Sequence, residues 1–260
     1  MEGKAMKQNV VTVNQVKKVY GKKGSEQYEA LKKIDFSVGE GEFVGIMGPS
    51  GSGKTTLLNM LSALDQPTQG EVMIAGQPLA GMKENQLAQF RSQNIGFIFQ
   101  DFNLLENLTI FQNIALPLSL QGVASKKIET QVRKMAKILA ISEILDKYPA
   151  EVSGGQKQRA AAARALIHQP KLLLGDEPTG ALDSKNAKNL LEALRHLNED
   201  YQTTILMVTH DPMSASYCKR ILFIQDGKIY KEITRNASQQ VFYQEILTIL
   251  SHVDFDESQV

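Results

Sequence analysis

Short apolar runs alternate with turn residues over the first hundred positions, and the period then changes. Residues 10–16, 34–38 and 42–47 carry the strand pattern, and Gly39-Glu40-Gly41 marks the turn between the second and third. Residues 54–64 follow a helical period. A turn over Gln66-Pro67-Thr68-Gln69-Gly70 leads into a strand at 71–75, and 95–99 forms a further apolar run. From about 101 to 169 the helical period dominates. There Ile128, Val132, Met135 and Leu139 recur at i, i+4, i+7 and i+11 behind Ser125, which the pattern predicts as a cap. Leu172-Leu173-Leu174 and residues 204–208 are continuous apolar runs, as in strands buried on both faces. Residues 221–224 and 228–233 read as a hairpin around Asp226-Gly227, and 238–252 as a final amphipathic helix. No internal repeat or low-complexity tract interrupts this layout. It predicts an α/β core with a mostly helical insertion, or subdomain, between about 101 and 165.

Composition narrows the class. With 42% hydrophobic and 22% charged residues in 260, the chain can bury a substantial core, which excludes global disorder. Basic and acidic residues nearly cancel, 29 against 28, so there is no electrostatic footprint for nucleic acid. Charge is uneven at the ends. Residues 1–33 carry eight Lys against three Glu, while Asp254, Asp256 and Glu257 crowd the last seven positions; both ends are predicted to be solvated tails. The lone Cys218 forms no internal disulfide, which fits a reducing compartment. No apolar stretch approaches the ~20 residues of a spanning helix. The N-terminus lacks the apolar segment of a signal peptide, so a soluble chain is predicted.

Candidate chemistry begins at Gly48-Pro49-Ser50-Gly51-Ser52-Gly53-Lys54-Thr55, followed by Thr56, which matches G-x-x-x-x-G-K-[ST]. Glycines let backbone N–H groups turn inward around polyphosphate, and the helix opening near Lys54 aims its positive end at the same anion. Lys54 is placed to reach the β- and γ-phosphates and the Thr55 hydroxyl to ligate Mg²⁺. The strand before and the helix after supply the required context. Such a loop alone does not choose among kinases, GTPases, motors and transport ATPases. The apolar strand Leu172-Leu173-Leu174-Gly175 ends in Asp176-Glu177, with Asp176 placed to hold Mg²⁺ and Glu177 to polarise an attacking water as general base. A GTPase would need an Asn-Lys-x-Asp base-reading motif, which is absent.

At Val152-Ser153-Gly154-Gly155-Gln156-Lys157-Gln158-Arg159 the chain resembles the signature motif of ATP-binding-cassette ATPases, with Val152 in the usual leucine position. Ser153 and two glycines open an Ala-rich helix, whose N-terminus is a second phosphate site. The resemblance covers about residues 10–235. It implies a P-loop NTPase cassette with a mixed β-sheet core, an antiparallel β region and a helical insertion, the whole of 1–260 forming one ATP-binding domain. Further positions match in order. Gln100 resembles the glutamine that senses γ-phosphate and Mg²⁺, and Asp183, in Ala181-Leu182-Asp183, the loop that crosses a dimer interface. His210 resembles the switch histidine at γ-phosphate. Tyr20 resembles the aromatic that stacks on adenine, with Tyr28 as its rival. Gly175 departs from the family pattern, where a bulkier residue or alanine usually precedes the Asp.

The resemblance implies a mechanism. ATP on the P-loop of one subunit is capped by Ser153, Gly154, Gly155 and Gln156 of another, so a chain with one of each must pair, most simply with itself. It implies a separate integral membrane permease as partner, a place at the cytoplasmic face of the membrane, and Asp101-Phe102-Asn103-Leu104-Leu105 as candidate permease contact. Residues 176–184, 96–105 and Leu116-Pro117-Leu118 resemble the branch of macrolide export, lipoprotein release and cell-division cassettes. Met207-Val208-Thr209-His210-Asp211-Pro212 and residues 240–247 look most like the bacitracin- and lantibiotic-resistance cassettes, whose permease is often coupled to a sensor kinase. A lipoprotein-release or macrolide-type ATPase, and a division-type cassette that activates a wall hydrolase, remain the alternatives.

Overall fold

In the computed structural model, residues 8–21 and 26–257 are described. The basic residues 1–7, Lys22 and Lys23 of the expected N-terminal tail, and residues 258–260, lie outside them. Strand β1 (Asn9–Tyr20) pairs antiparallel with β2 (Tyr28–Gly39) along its whole length, from Asn9↔Gly39 to Tyr20↔Tyr28. Both strands run beyond the predicted 10–16 and 34–38. The period is broken by register shifts between Val13 and Val16, where Gln15 takes φ 48° and its amide donates to Asp35. With β4 (Gln69–Ile74) and β5 (Gln77–Pro78) they form a sheet of order β2-β1-β4-β5.

A second sheet has the order β10-β9-β3-β8-β7-β6. Its members are β3 (Phe43–Met47), β6 (Ile95–Ile98), β7 (Leu172–Asp176), β8 (Ile205–Val208), β9 (Arg220–Gln225) and β10 (Lys228–Thr234). All its neighbours are parallel except the β9–β10 hairpin. The continuous apolar runs follow from burial on both faces. Val44, Ile46, Leu172, Leu174, Leu206 and Val208 enter one core, which lies against the first sheet and helix α1 (Lys54–Leu61). Phe43, Met47, Leu173, Ile205 and Met207 enter the other, covered by helices.

Those helices are α3 (Ile110–Leu120), α4 (Ser125–Ile138), α5 (Gly154–Leu166), α6 (Ser184–Tyr201) and α8 (Gln239–Glu257). Between them in chain order come α2 (Glu84–Asn94), after β5, and the short α7 (Pro212–Ala215), after β8. Ser125 is not the cap of α4 but its first residue; Ala124 holds the cap position without a side-chain bond. Helix α1 stops at Leu61, three residues short of expectation, because Ala63 turns left-handed at φ 56°. Asp254, Asp256 and Glu257, expected in a solvated tail, continue the backbone of α8. No helix among the described residues is long and apolar enough to cross a membrane.

Candidate functional site

The P-loop is wedged between two strands. A Cβ on Gly53, at φ 103°, would stand 2.6 Å from the Ala30 carbonyl of β2, and one on Gly48 would overlap the Ile224 carbonyl of β9. From below, the Gly227 N–H of the hairpin turn donates to Ser52 at 3.1 Å. Ser52 itself is buried, and its Oγ has no partner among the described residues. Lys54 folds back over the loop, its Nζ donating to the carbonyls of Gly48 (2.8 Å) and Pro49 (2.6 Å).

Gly48, Pro49, Ser50, Gly51, Gly53, Lys54, Thr55 and Thr56 line an open cavity of about 620 Å³ with Asp176, Glu177 and His210, so residues from distant parts of the sequence meet there. Burial pulls the Lys54 ammonium below its usual range, while Glu177 and Asp176 oppose that shift. Burial and the neighbouring Glu177 charge push the Asp176 carboxyl up, against Lys54. Two carboxylates beside one ammonium form a place where a divalent cation relieves repulsion. The Thr55 hydroxyl and Asp176 carboxylate are the hard oxygen donors that Mg²⁺ takes, so these residues fit the ion.

Glu177 follows β7 with φ 45°, a left-handed conformation that costs a non-glycine residue about 1–3 kcal/mol. It is held by its N–H donating to the Val208 carbonyl at 2.9 Å and by Gly180 N–H closing a turn onto its own carbonyl at 2.9 Å. The result is a carboxylate whose Oε2 lies 2.6 Å from His210 Nδ1. Gln100 lies in the adjoining hollow, which shares Glu177 and His210 with the P-loop cavity, and its side chain packs on Gly180.

The two tyrosines stand opposite each other in the β1–β2 register but face different neighbours. Tyr28 lines the P-loop cavity and donates to the Gly51 carbonyl at 3.2 Å. Tyr20, which the sequence placed at adenine, does not line it. Its hydroxyl donates to Asp65 at 2.9 Å, and the Lys18 ammonium sits 4.9 Å from its ring centre.

The signature residues line no part of this cavity. Ser153 caps α5, its Oγ accepting from Gln156 N–H at 3.3 Å while its own N–H donates to Gln156 Oε1 at 3.0 Å. Gly154 lies beside Phe102, and bare Gly155 admits Asn186 of α6. Asp183 caps α6 and accepts from Asn186 N–H at 2.9 Å; bonds from Asn186 hold its carboxyl below the usual range. Two residues of α5 were missed by sequence reasoning. Buried Gln158 donates to the carbonyls of Phe99 (3.0 Å) and Pro178 (2.6 Å), next to Gln100 and Glu177. Arg164 donates to the carbonyls of Asn103 (2.6 Å) and Phe102 (3.1 Å), both left-handed residues. A Gln and an Arg in an Ala-rich helix were the available signal.

A family model described as ABC transporter matches residues 31–180, a span that includes the P-loop, Gln100, the signature residues and Asp176-Glu177. The chain belongs to the ABC transporter family. It is the ATP-binding subunit of such a transporter and an ATPase. The cassette is 55% identical over 248 residues to an uncharacterized ABC transporter ATP-binding protein, YvcR of Bacillus subtilis, across 95% of this chain and 96% of that one. It is 52% identical over 239 residues to the bacitracin export ATP-binding protein BceA of Halalkalibacterium halodurans, across 92% and 94%. Its fold matches the ATP-binding cassette MJ0796 of Methanocaldococcus jannaschii, solved as a dimer in a post-hydrolysis state bound to ADP and Pi. That match has a TM-score of 0.79 at 39% identity and covers 88% of this chain and 100% of that one.

Proposed function

We propose that this cassette binds and hydrolyses ATP as a head-to-tail homodimer and drives a separate membrane permease in resistance to, or sensing of, peptide antibiotics of the bacitracin type. The observation that carries the catalytic part is the Glu177–His210 contact beside Lys54 in one cavity. The 52% identity with the bacitracin export protein supports the biological role.

In this reading the P-loop N–H groups and the Lys54 ammonium bind the phosphates, and Lys54 exchanges its two carbonyl partners for them. Thr55 and Asp176, with Gln100 from the adjoining hollow, would hold Mg²⁺, which would supply positive charge against the phosphates. Glu177 orients the attacking water and takes its proton; His210 holds the carboxylate in place. Tyr28 or Tyr20 flanks the base. The Ser153 hydroxyl and the N-terminus of α5 are separated from the P-loop within one chain, so they serve the ATP of a second copy, with Asp183 between. The permease places the dimer at the cytoplasmic face of the membrane, and a sensor kinase joins through it. No nucleic acid is involved.

Two measurements test the role. A tagged chain purified from its host's membranes should bring down one permease with a large extracellular domain, identified by mass spectrometry. Lys54→Ala should abolish nucleotide affinity and sensitise that host to bacitracin-type peptides. Unchanged susceptibility, together with capture of a lipoprotein-release permease, would contradict the peptide-resistance role.

A further inference from the structure

Between the Glu177 turn and the His210 loop runs a chain of polar side chains that lines the adjoining hollow rather than the P-loop cavity. The Asp211 carboxylate accepts from Met213 N–H (3.1 Å), Ser214 N–H (2.9 Å) and the Ser214 hydroxyl (2.6 Å). Ser214 Oγ lies 3.0 Å from Thr179 Oγ1. Ser214 is fully buried and Thr179 is 9% exposed, so the bond between them is shielded from water, whereas Asp211 is half-buried.

Donor inventory fixes the direction. A serine hydroxyl has one proton, and a carboxylate oxygen only accepts. Ser214 spends its proton on Asp211, so Thr179 must donate to Ser214. The chain thus runs one way, Thr179 to Ser214 to Asp211. Its two ends sit where catalytic geometry is set. Thr179 is the third residue of the turn that Gly180 N–H closes onto the Glu177 carbonyl, and Asp211 directly follows His210. On its other side Asp211 N–H donates to Thr209 Oγ1 at 3.1 Å, so the residues flanking His210 are tied to each other.

We infer that Thr179 and Ser214 are positioning residues, which lock the Glu177 turn to the His210 loop and so hold the Glu177–His210 pair in register. This rests on the reading of Glu177 as the water-orienting base. Without the Thr179–Ser214 bond, the left-handed Glu177 backbone loses a lateral tie, while the P-loop and its phosphate donors keep all of theirs. The defect should therefore fall on turnover and spare nucleotide binding.

The test is steady-state ATP hydrolysis by the full-length protein, normalised to folded fraction from thermal melts. Thr179→Val, close in shape but without the donor, should lower kcat about tenfold, below the ~10²-fold that misplacement by 1 Å can cost. KM for ATP should stay within about twofold. Thr179→Ser keeps the donor and should restore kcat to near wild type. Ser214→Ala removes the same bond together with the hydroxyl bond to Asp211, so it should lower kcat at least as much as Thr179→Val, and the double variant should be no slower than Ser214→Ala alone. The inference is overturned if kcat per folded molecule is unchanged in Thr179→Val, if Thr179→Ser is equally slow, or if the two defects multiply. Glu177→Gln is measured alongside: turnover in that variant overturns the role of Glu177 and this inference with it. Its inactivity beside a fully active Thr179→Val overturns the inference alone.

Discussion

Asp176 sits where charge is costly, and the residue scale shows why it is retained. Burial and Glu177 raise its carboxyl pKa in the folded chain. Between the ordinary carboxylate value, about 3.9, and the raised one, the native state binds more protons than the unfolded state, so stability falls as pH rises through that window. At neutral pH the whole penalty is present. Asp176→Asn should therefore raise the melting temperature of the nucleotide-free protein at pH 7, with the gain shrinking below pH ~4, while Mg²⁺-dependent hydrolysis disappears. A lower melting temperature at pH 7 would contradict the electrostatic account. Residues such as Lys54, Thr55 and Glu177 were legible in the sequence because their chemistry is local: a loop between strand and helix, or two carboxylates at a strand end. Thr179 and Ser214 were not, because the bond that gives them meaning joins positions 35 apart. Neither residue type carries a signal alone.

At the scale of elements, α5 does more than present the signature residues. Through Gln158 and Arg164 it holds backbone carbonyls on both sides of Gln100, which ties the signature helix to the segment expected to meet the permease. Its seat on β6 is tight. A Cβ on Gly96 would overlap the Ala165 carbonyl, a backbone atom that cannot rotate away. Gly96→Ala should cost about 1–3 kcal/mol of stability by forcing helix and strand apart, read as a lower urea midpoint with unchanged slope. Strands β3, β7 and β8 were legible because burial on both faces makes them continuous apolar runs. Helix α2 buries only Leu87 and Phe90, too few for a clear period. Helix α6 was missed although Leu190, Leu191, Leu194 and Leu197 recur on one face behind the Asp183 cap. That pattern was available and follows directly after the Asp176-Glu177 motif.

For the whole molecule, the consequence is incompleteness. The cavity that gathers P-loop, Asp176, Glu177 and His210 contains none of Ser153, Gly154, Gly155 or Gln156, although both sets are suited to phosphate. In the proposed reading these are two half-sites for different nucleotides, so two copies must close on ATP and open after hydrolysis. Glu177→Gln isolates this requirement, because it removes the base without removing any phosphate donor. The decisive measurement is the solution mass of that variant with and without MgATP, by light scattering after size exclusion. The account predicts the 28.8 kDa monomer without nucleotide and a stable particle of twice that mass with it. A monomer at saturating MgATP, with nucleotide demonstrably bound, would contradict it.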